Sequence, residues 1–336
     1  MSKRDNAGRV KLIANPGAGN SANASARLEQ VTRFLLEQGL KVDVALAKPV
    51  EEAIPIAKKS VKNGYPTVIA MGGDHTIAAV ASGIADSKVN LGIIPVGTKN
   101  DIAASLGIPE DLKQACDIIA AGHTRILDLG EVSVTGGKKT LFFMLTAVGL
   151  TATIFPQIKD VPHGDLSNIK DAILTFLDFK PDPKVFLTLD DESKIKVETM
   201  LVTVTNTPLI ASKNVVAPDA SMDDGLLDIA VYPGFSKAEL LAYFAKTAQE
   251  RITDDGKIQR YRARKIKIKT DPKLDVAAEG AILGQGTAKI KVLPGALRVL
   301  APEVGTGAEK PQSESVEDLP TPVSISVNSE NQAQLK

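Results

Sequence analysis

The chain has 336 residues, enough for two domains at roughly 100–200 residues each. Its 40 basic and 40 acidic residues cancel, which excludes a global basic field that would carry it onto nucleic acid. One cysteine, Cys116, and three histidines exclude an intramolecular disulfide and a thiolate zinc cluster, while abundant carboxylates suit a hard ion such as Mg2+.

The basic N-terminus lacks the apolar stretch of about 7–15 residues that a secretory signal needs. The most apolar run, Leu141 to Leu150, is half the roughly 20 residues of a membrane helix. A cytoplasmic protein with only peripheral bilayer contact is expected. Arg9–Ala14 reads as a strand ending at a Gly/Pro turn, and Ala26–Gln38 as a helix with Leu28, Val31, Leu35 and Leu36 at helical spacing. Lys41–Leu46 is a second strand, Val50–Lys62 a helix, Thr67–Met71 a buried-type strand, Thr76–Ile84 a helix and Leu91–Ile94 a strand. This alternation predicts a parallel sheet with helices on both faces, an α/β nucleotide-binding type of domain over residues 1–126.

From Leu127 the pattern changes to strands: Leu127–Val134, Thr140–Val148, Val185–Leu189, Ile195–Thr205, Leu226–Tyr232, Tyr261–Lys269, Ala288–Val292 and Ala296–Leu300. Short strands split by turn residues predict a β-sandwich domain over residues 127–302, interrupted by helices at Asp165–Phe179 and Lys237–Gln249. Residues 303–336 turn to Ser, Glu, Pro, Gln and Asn and read as a disordered acidic tail.

Three strand-to-helix turns carry the chemical signal: Asn15-Pro16-Gly17-Ala18-Gly19, Gly72-Gly73-Asp74-His75-Thr76 and Gly97-Thr98-Lys99-Asn100-Asp101. Each alone is an ordinary turn. All three fall at the carboxyl ends of parallel strands, where open α/β sheets bind ligands and where glycine backbone and helix N-termini suit phosphate.

MGGDHTIAAVASGI followed by LGIIPVGTKNDIAASLGIP resembles the catalytic domain of the diacylglycerol kinase family, which includes soluble bacterial lipid kinases and sphingosine kinases. ILDLGEV, DDGLLDIAVY and VLPGALRVLAP extend the likeness across most of residues 9–302. The resemblance implies an ATP- and Mg2+-dependent transfer to a lipid hydroxyl in an interdomain cleft, at a membrane surface, and leaves a homodimer open. It implies that Asn15, Gly17 and Gly19 line the nucleotide site and that Gly72, Gly73 and Thr76 hold phosphates. Thr98 and Asn100 would contact the nucleotide, Asp74 would act through Mg2+ and water, and Asp101 and Asp128 would extend the acidic network. Asp224 would hold a second Mg2+ in the β-domain.

The pattern departs from the family in three places. His75 replaces a glycine of the GGDGT turn, where histidine tolerates left-handed backbone better than a β-branched residue. Thr151 replaces a carboxylate between the domains, and Ala277 stands where the family carries the presumed aspartate base. Glu279 matches the family glutamate and, two residues on along a strand, is the candidate substitute base, with Asp275 on the same face.

His163 reads as a loop histidine and Cys116 as a core thiol. The run Arg260 to Lys269 alternates charged and apolar residues, as a half-exposed strand does, and would also attract anionic headgroups. Three functional readings follow: a lipid kinase, a catalytically weakened nucleotide- or lipid-binding member, and an NAD kinase. The intact GGD, GT-x-ND and DDG segments favour the first, and Ala277 favours the second.

Overall fold

Four β-branched runs and the helices between them build the first layer. The computed structural model describes residues 8–19, 21–150, 183–210, 214, 215, 217, 219–240, 242, 243 and 256–303. In chain order the first elements are β1 (Arg9–Ala14), α1 (Ala24–Glu37), β2 (Lys41–Leu46), α2 (Ala53–Lys62), β3 (Thr67–Gly72), α3 (Asp74–Ile84) and β4 (Asn90–Pro95). The strands lie in the order β2-β1-β3-β4, every pair parallel. Two further helices follow, α4 (Asp101–Ser105) and α5 (Leu112–Ala121). Asp111 caps α5 by accepting the Gln114 N–H at 2.9 Å, and Gly122 ends it with φ 76°. α1 packs on α5 and α2 on α3. Val31 and Leu35 of α1 are fully buried, whereas Leu36, grouped with them by its spacing, points to solvent at 54% exposure.

The second half is built from strands: β5 (Thr124–Val134), β6 (Thr140–Phe142), β7 (Leu145–Gly149), β8 (Lys184–Leu189), β9 (Ser193–Thr205), β10 (Leu209–Ile210) and β11 (Asn214–Val215). They continue as β12 (Leu227–Pro233), β13 (Gln259–Ala263), β14 (Lys265–Asp271), β15 (Asp275–Ala278), β16 (Ala281–Gln285) and β17 (Ala288–Leu300). One layer runs β13-β12-β9-β7-β15-β16 and the other β9-β8-β14-β17-β5-β6, with the long strand β9 serving both. Val148, Val202, Val204 and Ile229 from the first layer pack against Val185, Leu187, Ile266 and Ile290 from the second. The observed class is therefore a parallel α/β unit followed by a β-rich sandwich.

β17 joins the halves. Its first part pairs with β14, and Arg298 and Val299 pair in parallel with Asn90 and Leu91 of β4. The described residues up to Pro302 accordingly form one compact unit.

Several strand expectations need correction. The expected strand Thr140–Val148 is two strands, broken at Phe143 and Met144, whose N–H groups donate to the Glu279 carboxylate. Tyr261–Lys269 is also two strands, because Asp190 Oδ1 accepts the Arg264 and Lys265 N–H groups and redirects the chain from β12 to β8. Ala288–Val292 and Ala296–Leu300 are instead one strand with an irregularity between Leu293 and Leu297. Strand β16 and helix α5 have no counterpart among the elements expected from the sequence. The expected helix 165–179, Thr151, His163 and the acidic tail beyond Glu303 lie outside the described residues, as does most of 237–249.

Candidate functional site

The three glycine turns touch one another through their backbones. A Cβ on Gly97 would lie 2.4 Å from the Gly73 Cα, and one on Gly19 would lie 2.3 Å from the Val96 carbonyl oxygen. A Cβ on Gly72 would meet the Thr76 side chain at 2.4 Å. Glycine is required at these points so that the turns can pack against each other. Side chains then lock the arrangement. Asn15 Nδ2 donates to Thr76 Oγ1 at 3.2 Å, and Asn15 Oδ1 accepts the Gly17 N–H at 2.9 Å. Asn100, left-handed at φ 56° and buried, accepts the Gly97 N–H at 2.9 Å and donates to the Gly97 carbonyl at 3.1 Å. Its amide thus closes the third turn, and the exposed Thr98 is displayed at the tip. Arg27, which the sequence reading missed, donates to the Ala18 and Val96 carbonyls and ties the first turn to the third. A lone arginine in an amphipathic helix gave no signal for that role.

Asp74 and Asp101 begin α3 and α4, and both are buried. Asp74 Oδ1 accepts the Ile102 N–H at 2.9 Å, linking the two helix starts. Burial pushes the Asp74 carboxyl above its ordinary range, the Ile102 N–H opposes the rise, and Asp101 adds like-charge repulsion. His75 lies in the helical first turn of α3 with no positive φ, so the position does not demand glycine; the left-handed requirement expected there is corrected.

Glu279 sits at the tip of the β15–β16 hairpin, where Glu279 and Gly280 have φ 49° and 74°, as a two-residue type I′ turn requires. A glutamate in this left-handed region costs about 1–2 kcal/mol. Its Oε1 accepts the Phe143 and Met144 N–H groups at 2.8 and 2.7 Å, with Leu145 N–H at 3.4 Å. Oε2 is buried and has no hydrogen-bond partner. Burial lifts the carboxyl from its ordinary 4.5 to about 7 against those three N–H groups, and the nearby Asp74 charge adds to the rise. Asn206 grips the same segment from its carbonyl side, donating from Nδ2 to the Phe143 carbonyl and from its N–H to the Met144 carbonyl. Its Oδ1 is likewise buried without a partner.

Ala277 is not on a shared face with Glu279, because the strand ends at Ala278 and the backbone turns left-handed. Ala277 instead joins an apolar cluster with Ala147, Leu150, Ala230 and Tyr232. Asp128 lies in β5 and is buried. Its Oδ2 accepts the Gly225 N–H at 2.7 Å and its Oδ1 the Gly295 N–H at 2.8 Å, bracing the DDG turn against the β17 irregularity. Asp224 accepts the Leu226 N–H and pairs with Arg262, whose Nε also reaches Asp228 at 3.2 Å. Among the described residues no three His, Cys, Asp or Glu side chains are gathered to hold a metal ion by themselves. Asp74 and Asp101 fit the other mode, in which Mg2+ takes one or two carboxylates and completes its shell with phosphate and water. A cavity of about 230 Å3 opens beside the third turn, lined by Asn100, Ala104 and the segment Gly107 to Glu110. Among the described residues no helix is long and apolar enough to cross a membrane.

Comparison with known proteins agrees with this fold. Residues 9–132 match the diacylglycerol kinase catalytic domain, and residues 149–301 match the YegS C-terminal NAD kinase beta sandwich-like domain. A diacylglycerol kinase of Mycobacterium tuberculosis is 28% identical over 306 residues, covering 90% of this chain and 98% of the relative. One from Bacillus subtilis is 26% identical over 319 residues, 92% and 99% of the two chains. A crystal structure of a diacylglycerol kinase from Bacillus anthracis str. Sterne superposes with a TM-score of 0.69 at 21% identity, over 88% of this chain and 97% of that one. Yeast NADH kinase shares the fold more distantly, with a TM-score of 0.53 at 11% identity over 88% and 83%. With both domain types present in order, the chain belongs to the diacylglycerol kinase catalytic-domain family with a YegS-like C-terminal β-sandwich.

Proposed function

We propose that this protein transfers the γ-phosphoryl group of ATP to the hydroxyl of a lipid acceptor of the diacylglycerol type, with Glu279 as the base. The observation that carries the reading is the Glu279 carboxyl: one oxygen anchored by backbone N–H groups, the other buried and unpartnered, with titration near neutrality. A base works best when its pKa lies near the working pH. The acceptor hydroxyl proton passes to Glu279 Oε2 as its oxygen bonds the γ-phosphorus. The bond from that phosphorus to the bridging β-oxygen breaks, and ADP leaves. The three glycine turns and the N-terminus of α3 offer backbone donors to phosphate, with the Thr76 hydroxyl behind them and Thr98 at the rim. Asp74 and Asp101 would hold Mg2+, which neutralises phosphate charge when bound. Asp224 would take a second ion only by releasing Arg262.

A second reading, nucleotide binding without transfer, is favoured by Ala277, which leaves the family's base position inside an apolar cluster. One experiment separates them. Pure protein with labelled ATP, Mg2+ and a total lipid extract in detergent yields labelled lipid if the proposal holds, and Glu279→Gln lowers kcat by about 10²–10⁴-fold. ATP binding with no labelled lipid supports the second reading, and labelled NADP when NAD replaces the lipid supports the NAD kinase reading.

A further inference from the structure

The outer face of the sandwich layer β9-β8-β14-β17-β5 carries a concentration of lysine that the phosphoryl-transfer site does not use. β14 alternates buried isoleucines with exposed lysines, so Lys265, Lys267 and Lys269 all leave the same face. The strand register extends them sideways. Lys267 stands directly opposite Lys289 of β17, and Lys265 opposite Lys291. On the other side Lys267 is opposite Thr188, whose partner on β9 is Lys194. The next row runs Lys269, Phe186 and Lys196, with Phe186 37% exposed and the Lys196 ammonium 5.9 Å from its ring centre.

These three rows hold seven lysines, and Glu131, opposite Lys291 on β5, is the acid within them. Asp191, at the β8–β9 turn, reaches Lys265 at 3.4 Å. Like charges directly opposite on neighbouring strands destabilise a sheet, yet two lysine pairs are placed that way. The whole chain is electrically balanced, so this face is a local concentration of positive charge.

We infer that this face docks the protein on an anionic lipid bilayer. The surface is a sheet face whose three lysine rows surround one exposed aromatic ring, bounded by the row Asp271, Lys184 and Glu198. Lysines near a membrane attract anionic headgroups additively, and aromatic rings favour the interface. The choice of a bilayer over a nucleic acid rests on the lipid-acceptor reading above; the charge pattern itself does not.

The test is co-sedimentation of the full chain with phosphatidylcholine vesicles, alone and with 30 mol% phosphatidylglycerol, at about 0.1 M salt, where the screening length is about 10 Å. Binding is expected only with phosphatidylglycerol and is lost at high salt. Lys267→Glu with Lys289→Glu should weaken it at least tenfold, as should the gentler Lys267→Gln with Lys289→Gln. Lys58→Glu with Lys62→Glu, exposed on α2, should leave it unchanged. Lys267→Gln with Lys289→Gln, which removes one like-charge pair, should melt no lower than the parent. Binding that ignores phosphatidylglycerol, or survives both face variants, overturns the inference. Tighter binding to single- or double-stranded nucleic acid, abolished by the same variants, replaces the bilayer with that partner. Phosphoryl transfer to diacylglycerol in neutral detergent micelles is measured alongside. Transfer without vesicle binding defeats the docking face alone, and vesicle binding without transfer defeats the kinase reading alone.

Discussion

Replacing Glu279 with glutamine keeps a carbonyl oxygen for the Phe143 and Met144 N–H groups but removes a titration. In the folded chain the carboxyl titrates near 7, and in the unfolded chain near its ordinary 4.5. The folded form therefore keeps a proton through the interval in which the unfolded form has released it. Stability is full below 4.5, declines as pH rises toward 7, and is level above that. Integrating the linkage between pH 5 and pH 8 gives a loss of about 2–3 kcal/mol in the parent that Glu279→Gln does not suffer. Urea unfolding of both proteins at the two pH values measures the difference directly, because titrations common to both cancel. Glu279→Gln should gain about 2–3 kcal/mol on the parent from pH 5 to pH 8. A gain under about 1 kcal/mol would mean that water reaches Oε2 and the carboxyl titrates close to its ordinary value, which removes the argument for Glu279 as a neutral-pH base.

Gly97→Ala should force the second and third turns apart, because its Cβ would sit 2.4 Å from the Gly73 Cα. Calorimetry should show ATP affinity reduced at least tenfold, whereas Gly256→Ala, which meets nothing within 4 Å, should bind as the parent does. Asp128→Ala leaves the Gly225 and Gly295 N–H groups without acceptors, and chemical denaturation should register a loss of about 2–5 kcal/mol; Asp128→Asn should recover roughly half. Ala277→Asp places a carboxyl among Ala147, Leu150 and Tyr232, so it should lower the melting temperature and bring no gain in transfer, while a tenfold gain would return the base to position 277. Cys116 is fully buried and burial pushes its thiol up to about 12, so a thiol reagent at pH 8 should label it only after denaturation.

The α/β half was legible because local chemistry decides it. Runs such as Thr67–Met71 are apolar and β-branched, and β1, β3 and β4 run into glycine turns that precede a helix. The sandwich half was legible as strands but not in its breaks. Phe143 and Met144 carry no turn signal; they interrupt a strand because a carboxylate 136 and 135 residues away captures their N–H groups. Arg264 behaves alike toward Asp190, 74 residues away. Pro294-Gly295 looked like a terminator, yet the strand continues past it because Asp128 satisfies the Gly295 N–H. The glycine motifs gave the turns but not their use: much of the glycine requirement is turn against turn. Glu279 was found through the family likeness, while its left-handed backbone and orphaned oxygen depend on Gly280 and on contacts that no local pattern encodes.

The seam made by β17 also sets a schedule for the chain's own synthesis. Arg298 pairs with Asn90 across a separation of 208 residues, and the hydrogen bond between their side chains seals the exposed flank of β4. At about 5–20 residues per second a ribosome takes roughly 10–40 s to move from one to the other. Throughout that interval the nascent N-terminal sheet ends in an unsealed parallel strand, Leu91 to Ile94, whose apolar faces and free edge resemble an aggregation template. Slow codons between β4 and β17 would lengthen that exposure. The last described strand is thus also the one that closes the first sheet made, and a transcript truncated before residue 298 would lack the partner that covers β4.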